Sequence, residues 1–175
     1  MKRQHGVSVF SFLLALVTAS ATLAVTLPMI QSAISKAHNE EAFKIVASEV
    51  LSALELAISD HWQSSECRAL SVPPTLKQLV DDYQANPIIL TAGYDVKITY
   101  HFAPKTTFSN AIKLTITPPS HVPVASLKQA AMELTRLYVF NDKTLELYKA
   151  LSPISSQMQL QYFDGKTGCM QKDYR

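Results

Sequence analysis

The feature that most constrains this chain is a run of 29 residues, Val7 to Ser35, without a formal charge. Its apolar part, Val7–Ile30, would extend about 36 Å as a helix, enough to cross a hydrocarbon core of about 30 Å with some tilt. Ahead of it stands only Met1–Gly6, which holds Lys2, Arg3 and His5 and no acid. The first acid in the chain is Glu40. Basic flanks stay on the cytoplasmic side, so this asymmetry puts the short leader in the cytoplasm and everything after Lys36 across the membrane.

Three readings fit the run. One is a plain membrane anchor. Another is a secretory signal, with the small-residue triplet Ala19-Ser20-Ala21 as cleavage site and release of the chain after Ala21. In the third, Gly6 ends the leader, the apolar run starts at Val7, and one helix continues far beyond Ala21. That continuation is visible in the pattern. Phe43, Val46, Ala47, Val50, Leu54, Ala57, Ile58 and Trp62 recur at spacings of three and four, with Glu41, Lys44, Ser48, Glu49, Ser52, Glu55 and Ser59 on the opposite face. Glu40 and Lys44 are spaced for an i,i+4 ion pair. The expected helix runs from Val7 to about Trp62, on the order of 80 Å. Pro28 inside it lacks a backbone N–H and should bend or locally melt it.

A basic leader ending in Gly6, an apolar stretch from Val7 and a proline at Pro28 resemble the type IV pilins and the pseudopilins of type II secretion. The resemblance implies cleavage between Gly6 and Val7 by a prepilin peptidase, usually with N-methylation of Val7. It also implies a leader at 1–6, a transmembrane and filament-core helix at 7–30, and a periplasmic head at 31–175. Pro28 falls where many pilins carry a helix-kinking proline. Ser11 departs from the pattern, because the family usually has a glutamate at that place. There the glutamate pairs with the charged N-terminus of a neighbouring subunit, so its loss points to a minor, tip-type subunit. The implied partners are other pilin or pseudopilin subunits, the prepilin peptidase and an inner-membrane assembly platform.

The chain carries 16 basic and 14 acidic residues, a net charge of +2 that leaves no electrostatic footprint for nucleic acid. Its two cysteines, Cys67 and Cys169, would lie in an oxidising compartment if exported, and an even count there implies one disulfide; the alternative is two unrelated buried thiols. A closed loop of about 100 residues would stabilise the fold by about 4–5 kcal/mol in the chain-entropy model.

Beyond the long helix, Pro73-Pro74 reads as an extended linker and Thr75 as the cap of a short helix with Leu76, Leu79, Val80 and Tyr83 inward. Pro87 is expected to end that region. Tyr94, Val96, Ile98, Tyr100 and Phe102 alternate with polar residues as one strand, and Ile112, Leu114 and Ile116 as a second, antiparallel one. Pro118, Pro119 and Pro123 should stop the sheet. Ala125–Leu137 reads as helix. Val139–Tyr148 is either a hairpin turning at Asn141-Asp142 or a further helix. Met158, Leu160 and Tyr162 alternate as a third strand, followed by a turn at Asp164-Gly165. The fold class expected is α+β, a long helix packed on a small antiparallel sheet, as in pilins.

Little here points to catalysis. Lys166-Thr167-Gly168 matches one motif of penicillin-binding enzymes, but the companion Ser-x-x-Lys and Ser-Asp-Asn motifs are missing from the sequence, so a turn before Cys169 is the reading. His5, His38, His61, His101 and His121 lack metal-ligand spacing. Asp81-Asp82 sits in no calcium-loop pattern, and four scattered glycines build no phosphate loop. The expectation is a structural subunit without metal or cofactor. The competing classes are a secreted periplasmic or surface binding protein cleaved after Ala21 and a membrane-anchored enzyme.

Overall fold

The computed structural model describes residues 5–68, 72–102, 104–151 and 162–171. The chain divides into two compact units, Met1–Asn39 and Glu40–Arg175. One helix, α1 (His5–Ser65), belongs to both. It stays helical at every residue on both sides of Pro28, so the expected melting does not occur there. The proline removes one main-chain bond, to the carbonyl of Ala24, and the surrounding turns hold without it.

The second unit is an α+β head. Residues in α1 form its floor because their apolar positions return every three or four residues to one side. Phe43, Val46, Ala47, Val50 and Leu54 are fully buried, and Ala57 nearly so. Leu51 and Ala53 widen this stripe beyond the expected face, while Ile58 and Trp62 are half-buried. The stripe shares one core with Ile112, Leu114, Ile116, Leu145 and Leu147 of the sheet.

That sheet has four antiparallel strands, β1 (Asp95–Phe102), β2 (Ser109–Thr117), β3 (Leu137–Phe140) and β4 (Leu145–Ala150), in the order β1-β2-β4-β3. The expected β1–β2 pair forms in antiparallel register, with Ile98 opposite Leu114. Phe102 departs from the alternation. An irregularity between His101 and Phe102 shifts the register, and Phe102 ends exposed rather than inward.

One connection settles an open reading, and another corrects an expected helix. Val139–Tyr148 is a hairpin, in which the Asn141 N–H donates to the Thr144 carbonyl at 2.9 Å. The expected helix over Ala125–Leu137 is shorter, a 3-10 turn at Val124–Leu127 followed by α4 (Lys128–Leu134). Leu137 therefore begins β3 instead of closing a helical face. Thr135 turns the backbone extended, and its hydroxyl donates to the Leu137 carbonyl at 2.7 Å. Of the expected third strand, Met158 and Leu160 lie outside the described residues and Tyr162 sits in a turn.

Thr75 caps α2 (Leu76–Tyr83) as read, through a full capping box with Gln78. Pro87 does not end that region; it precedes a further helical turn, α3 (Ile88–Thr91), a place where its fixed φ is compatible with helix. Three polar contacts fasten the head portion of α1 to three different elements. Lys44 pairs with Glu133 of α4, the Glu49 carboxylate accepts the Asn86 N–H at 3.1 Å, and Glu55 pairs with Lys149 of β4 at 2.7 Å. Lys44 thus bonds across to α4, with Glu40 and Glu41 adding only longer-range attraction.

These contacts differ in weight. Leu54→Ala should lower head stability by about 2–5 kcal/mol, through lost burial and a residual cavity. Glu55→Ala should change it by less than about 1 kcal/mol, because the pair is solvent-exposed. Urea unfolding followed by circular dichroism measures both.

Candidate functional site

The first unit presents the most unusual surface in the protein. From Val9 to His38 every residue of α1 is exposed. Thirteen large apolar side chains stand bare between Val9 and Ile34, including Phe10 and Met29, each 68% exposed. Covering them would be worth on the order of 20–40 kcal/mol at about 1.5–3 kcal/mol each. Such a surface is incompatible with water and fits either a hydrocarbon core or a bundle of similar helices. By length and composition this helix is sufficient to cross a membrane.

Its polar groups point the same way. The Thr18 hydroxyl donates to the carbonyls of Leu14 and Ala15 at 3.0 Å, Ser20 to Val17 at 2.9 Å, Thr22 to Ala19 at 2.9 Å and Thr26 to Thr22 at 3.0 Å. Each hydroxyl is thereby satisfied within its own helix, which removes the penalty of several kcal/mol for taking an unpaired hydroxyl into an apolar medium. The sequence displayed these threonines and serines inside the apolar run. The i,i−4 geometry available to any helical hydroxyl is the sequence signal for this service to the backbone.

The residues singled out for processing and assembly lie on this helix. Gly6 and Val7 are helical in backbone. Ser11 is exposed between the exposed rings of Phe10 and Phe12, and Pro28 is exposed midway along. The fold does not gather these positions into one site. It does join Cys67 to Cys169, across 102 positions of sequence, in the disulfide expected from their even count.

That bond fastens the C-terminal segment to the end of α1. Around it, the Met170 N–H donates to the Glu66 carbonyl at 2.9 Å and the Arg68 N–H to the Gly168 carbonyl at 2.7 Å. Phe163 lies against Trp62 and Phe108, with ring centroids 6.5 and 5.7 Å apart. Gly168 is required at its place. Its φ is +74°, and a Cβ there would fall 2.4 Å from the Phe108 Cβ. The Lys166-Thr167-Gly168 tripeptide is indeed part of a turn. The Asp164 carboxylate organises it, accepting the Lys166 N–H at 2.8 Å and the Thr167 hydroxyl at 2.9 Å. These bonds, the Lys166 N–H foremost, hold the Asp164 carboxyl below the usual carboxylate range.

A surface groove of about 430 Å³ is lined by Leu56, Ser59, Asp60 and Gln63 of α1 and by Asp82, Tyr83 and Gln84 at the end of α2. Among the described residues, no three His, Cys, Asp or Glu side chains are grouped to hold a metal ion. Comparison with protein-family models, with curated proteins and with solved structures gives no match.

Two outcomes follow for the C-terminal clasp. Replacing Cys67 and Cys169 together by serine should lower head stability by about 4 kcal/mol, seen as an earlier urea midpoint. Because the folded Asp164 carboxyl is depressed, its contribution is complete above the unfolded carboxylate pKa and is lost as pH falls through the folded value. Asp164→Asn should therefore flatten the decline of thermal midpoint between about pH 5 and pH 2 relative to the parent chain.

Proposed function

We propose that this protein is a minor pilin or pseudopilin, a structural subunit that enters a filament through the N-terminal half of α1. The single observation that carries this reading is the continuity of that helix. The bare apolar run passes into a buried, amphipathic half without a break in helical backbone, so a single helix carries both surfaces. In this reading the helix first holds the subunit in the inner membrane with its head in the periplasm. It then leaves the bilayer to pack among related helices, and its apolar surface passes from lipid to protein without meeting water. Small residues such as Ala15, Ala19 and Ala24 allow close helix approach in either setting.

Ser11 specialises the subunit. In a pilin-like stack, the new N-terminal ammonium of each subunit is buried and needs a carboxylate from its neighbour; an unpaired buried charge costs several kcal/mol. A subunit with Ser11 offers no carboxylate and is suited to the tip, where no subunit ahead requires one. The role proposed is to start or cap assembly, with the prepilin peptidase and the inner-membrane platform as further partners.

Secretion with cleavage after Ala21 is the competing reading, motivated by the Ala19-Ser20-Ala21 triplet. It would leave Leu23, Val25, Leu27, Met29, Ile30 and Ile34, all more than half exposed, on a released protein. That surface favours aggregation over solubility. The same exposed surface supports retention of the helix.

Mass spectrometry of the mature protein tests the proposal. A chain beginning at Val7, with or without N-methylation, is expected; a chain beginning at Thr22 and free of membrane overturns it. Immunogold labelling tests the tip role. The parent chain should label filament ends, and Ser11→Glu should spread label along the shaft; identical distribution of the two along the shaft defeats the tip assignment.

A further inference from the structure

We infer that strand β3 is a pairing edge for a second copy of this chain, joining two heads through one antiparallel β3–β3 ladder. The inference concerns the head alone and does not depend on the reading of the N-terminal helix.

The hairpin bond between the Asn141 N–H and the Thr144 carbonyl sets the phase of the β3–β4 ladder. In antiparallel pairs the hydrogen-bonded and non-bonded positions alternate, so Val139 and Leu137 bond to Glu146 and Tyr148, their partners on β4. The N–H and C=O groups of Tyr138 and Phe140 are left pointing away from the sheet. No strand lies beyond β3 among the described residues. The two edges of the sheet also differ in chemistry. The β1 edge carries the exposed charges Asp95 and Lys97 and ends in a register irregularity, features that discourage pairing. All four residues of β3 are uncharged, and Leu137 and Val139 are 60% and 42% exposed on the face away from the core.

Charge complementarity selects the occupant and the register. A two-fold axis at Val139 places Tyr138 opposite the partner's Phe140, which satisfies the outward main-chain groups of both. Leu137 then faces the partner's Asn141. Arg136, exposed just before the strand, faces the partner's exposed Asp142, and the reverse pair forms by symmetry. The edge is self-complementary in hydrogen bonds, in apolar contact and in charge, as an isologous interface requires.

Cysteine cross-linking of the full-length chain in membrane vesicles tests this pairing. Val139 sits on the axis as a non-hydrogen-bonded pair, with Cα atoms about 4.5 Å apart, within disulfide range. Val139→Cys should give a disulfide-linked homodimer under mild oxidation. Leu137→Cys should not link to itself, because its two copies lie about 13 Å apart along the strands. Leu137→Cys mixed with Asn141→Cys should link. Adding Arg136→Asp to Val139→Cys should lower dimer yield several-fold, and further adding Asp142→Arg should restore it. Retention of the Cys67–Cys169 bond, read by peptide mapping, verifies folding of each variant. The inference is overturned if folded Val139→Cys stays monomeric or links only to a different subunit. It is equally overturned if Leu137→Cys self-links as readily as Val139→Cys.

Discussion

The buried stripe on α1 from Phe43 to Ala57 is the contact on which the rest of the head depends. Fully buried side chains from this helix meet Ile112, Leu114 and Ile116 of β2 and Leu145 and Leu147 of β4 in one core. A four-stranded sheet of this size needs a cover for its apolar face, and a helix supplies it. The polar contacts through Lys44, Glu49 and Glu55 then orient the helix without providing most of its binding energy. Tyr100 shows the cost of such burial. Among the described residues its enclosed hydroxyl finds no hydrogen-bond partner, and desolvation, with Tyr83 nearby, pushes its pKa up to about 12.

The same helix carries two kinds of surface. On the head side of Asn39 most of its apolar residues are gathered on one face and covered, with Ile45 and Leu56 left exposed. On the other side apolar residues surround the axis and are bare. A soluble helix keeps a polar face toward water; one that is apolar all round requires lipid or protein on every side. The back-bonded hydroxyls of Thr18, Ser20, Thr22 and Thr26 belong to that second condition, since they demand nothing from the surroundings. Ser11 places a neutral, exposed side chain among the bare apolar residues of this run.

The C-terminal clasp acts on the opposite end of the α1 head portion. A disulfide, flanking main-chain bonds and the Trp62, Phe108 and Phe163 rings converge there. Gly168 permits that convergence by leaving room for Phe108. Through this arrangement the C-terminal segment is tied both to the end of the helix and to the β1–β2 connection, where the Thr107 N–H donates to the Lys166 carbonyl at 3.1 Å.

The long helix, the β1–β2 pair and the Thr75 cap were legible in the chain because each rests on local periodicity or a local hydrogen bond. The uncharged run from Val7 to Ser35 likewise declared its need for an apolar environment from composition alone. Tertiary structure alone decided that Val139–Tyr148 is a hairpin, that Leu137 leaves the helix, that Phe102 turns outward and that Lys44 bonds to Glu133. The Lys44 pair joins residues far apart in sequence, and the hairpin, although closed by the local Asn141–Thr144 bond, is held in the sheet by the pairing of β4 with β2. For short segments whose two conformations have similar intrinsic free energies, the choice falls to whichever one completes the core.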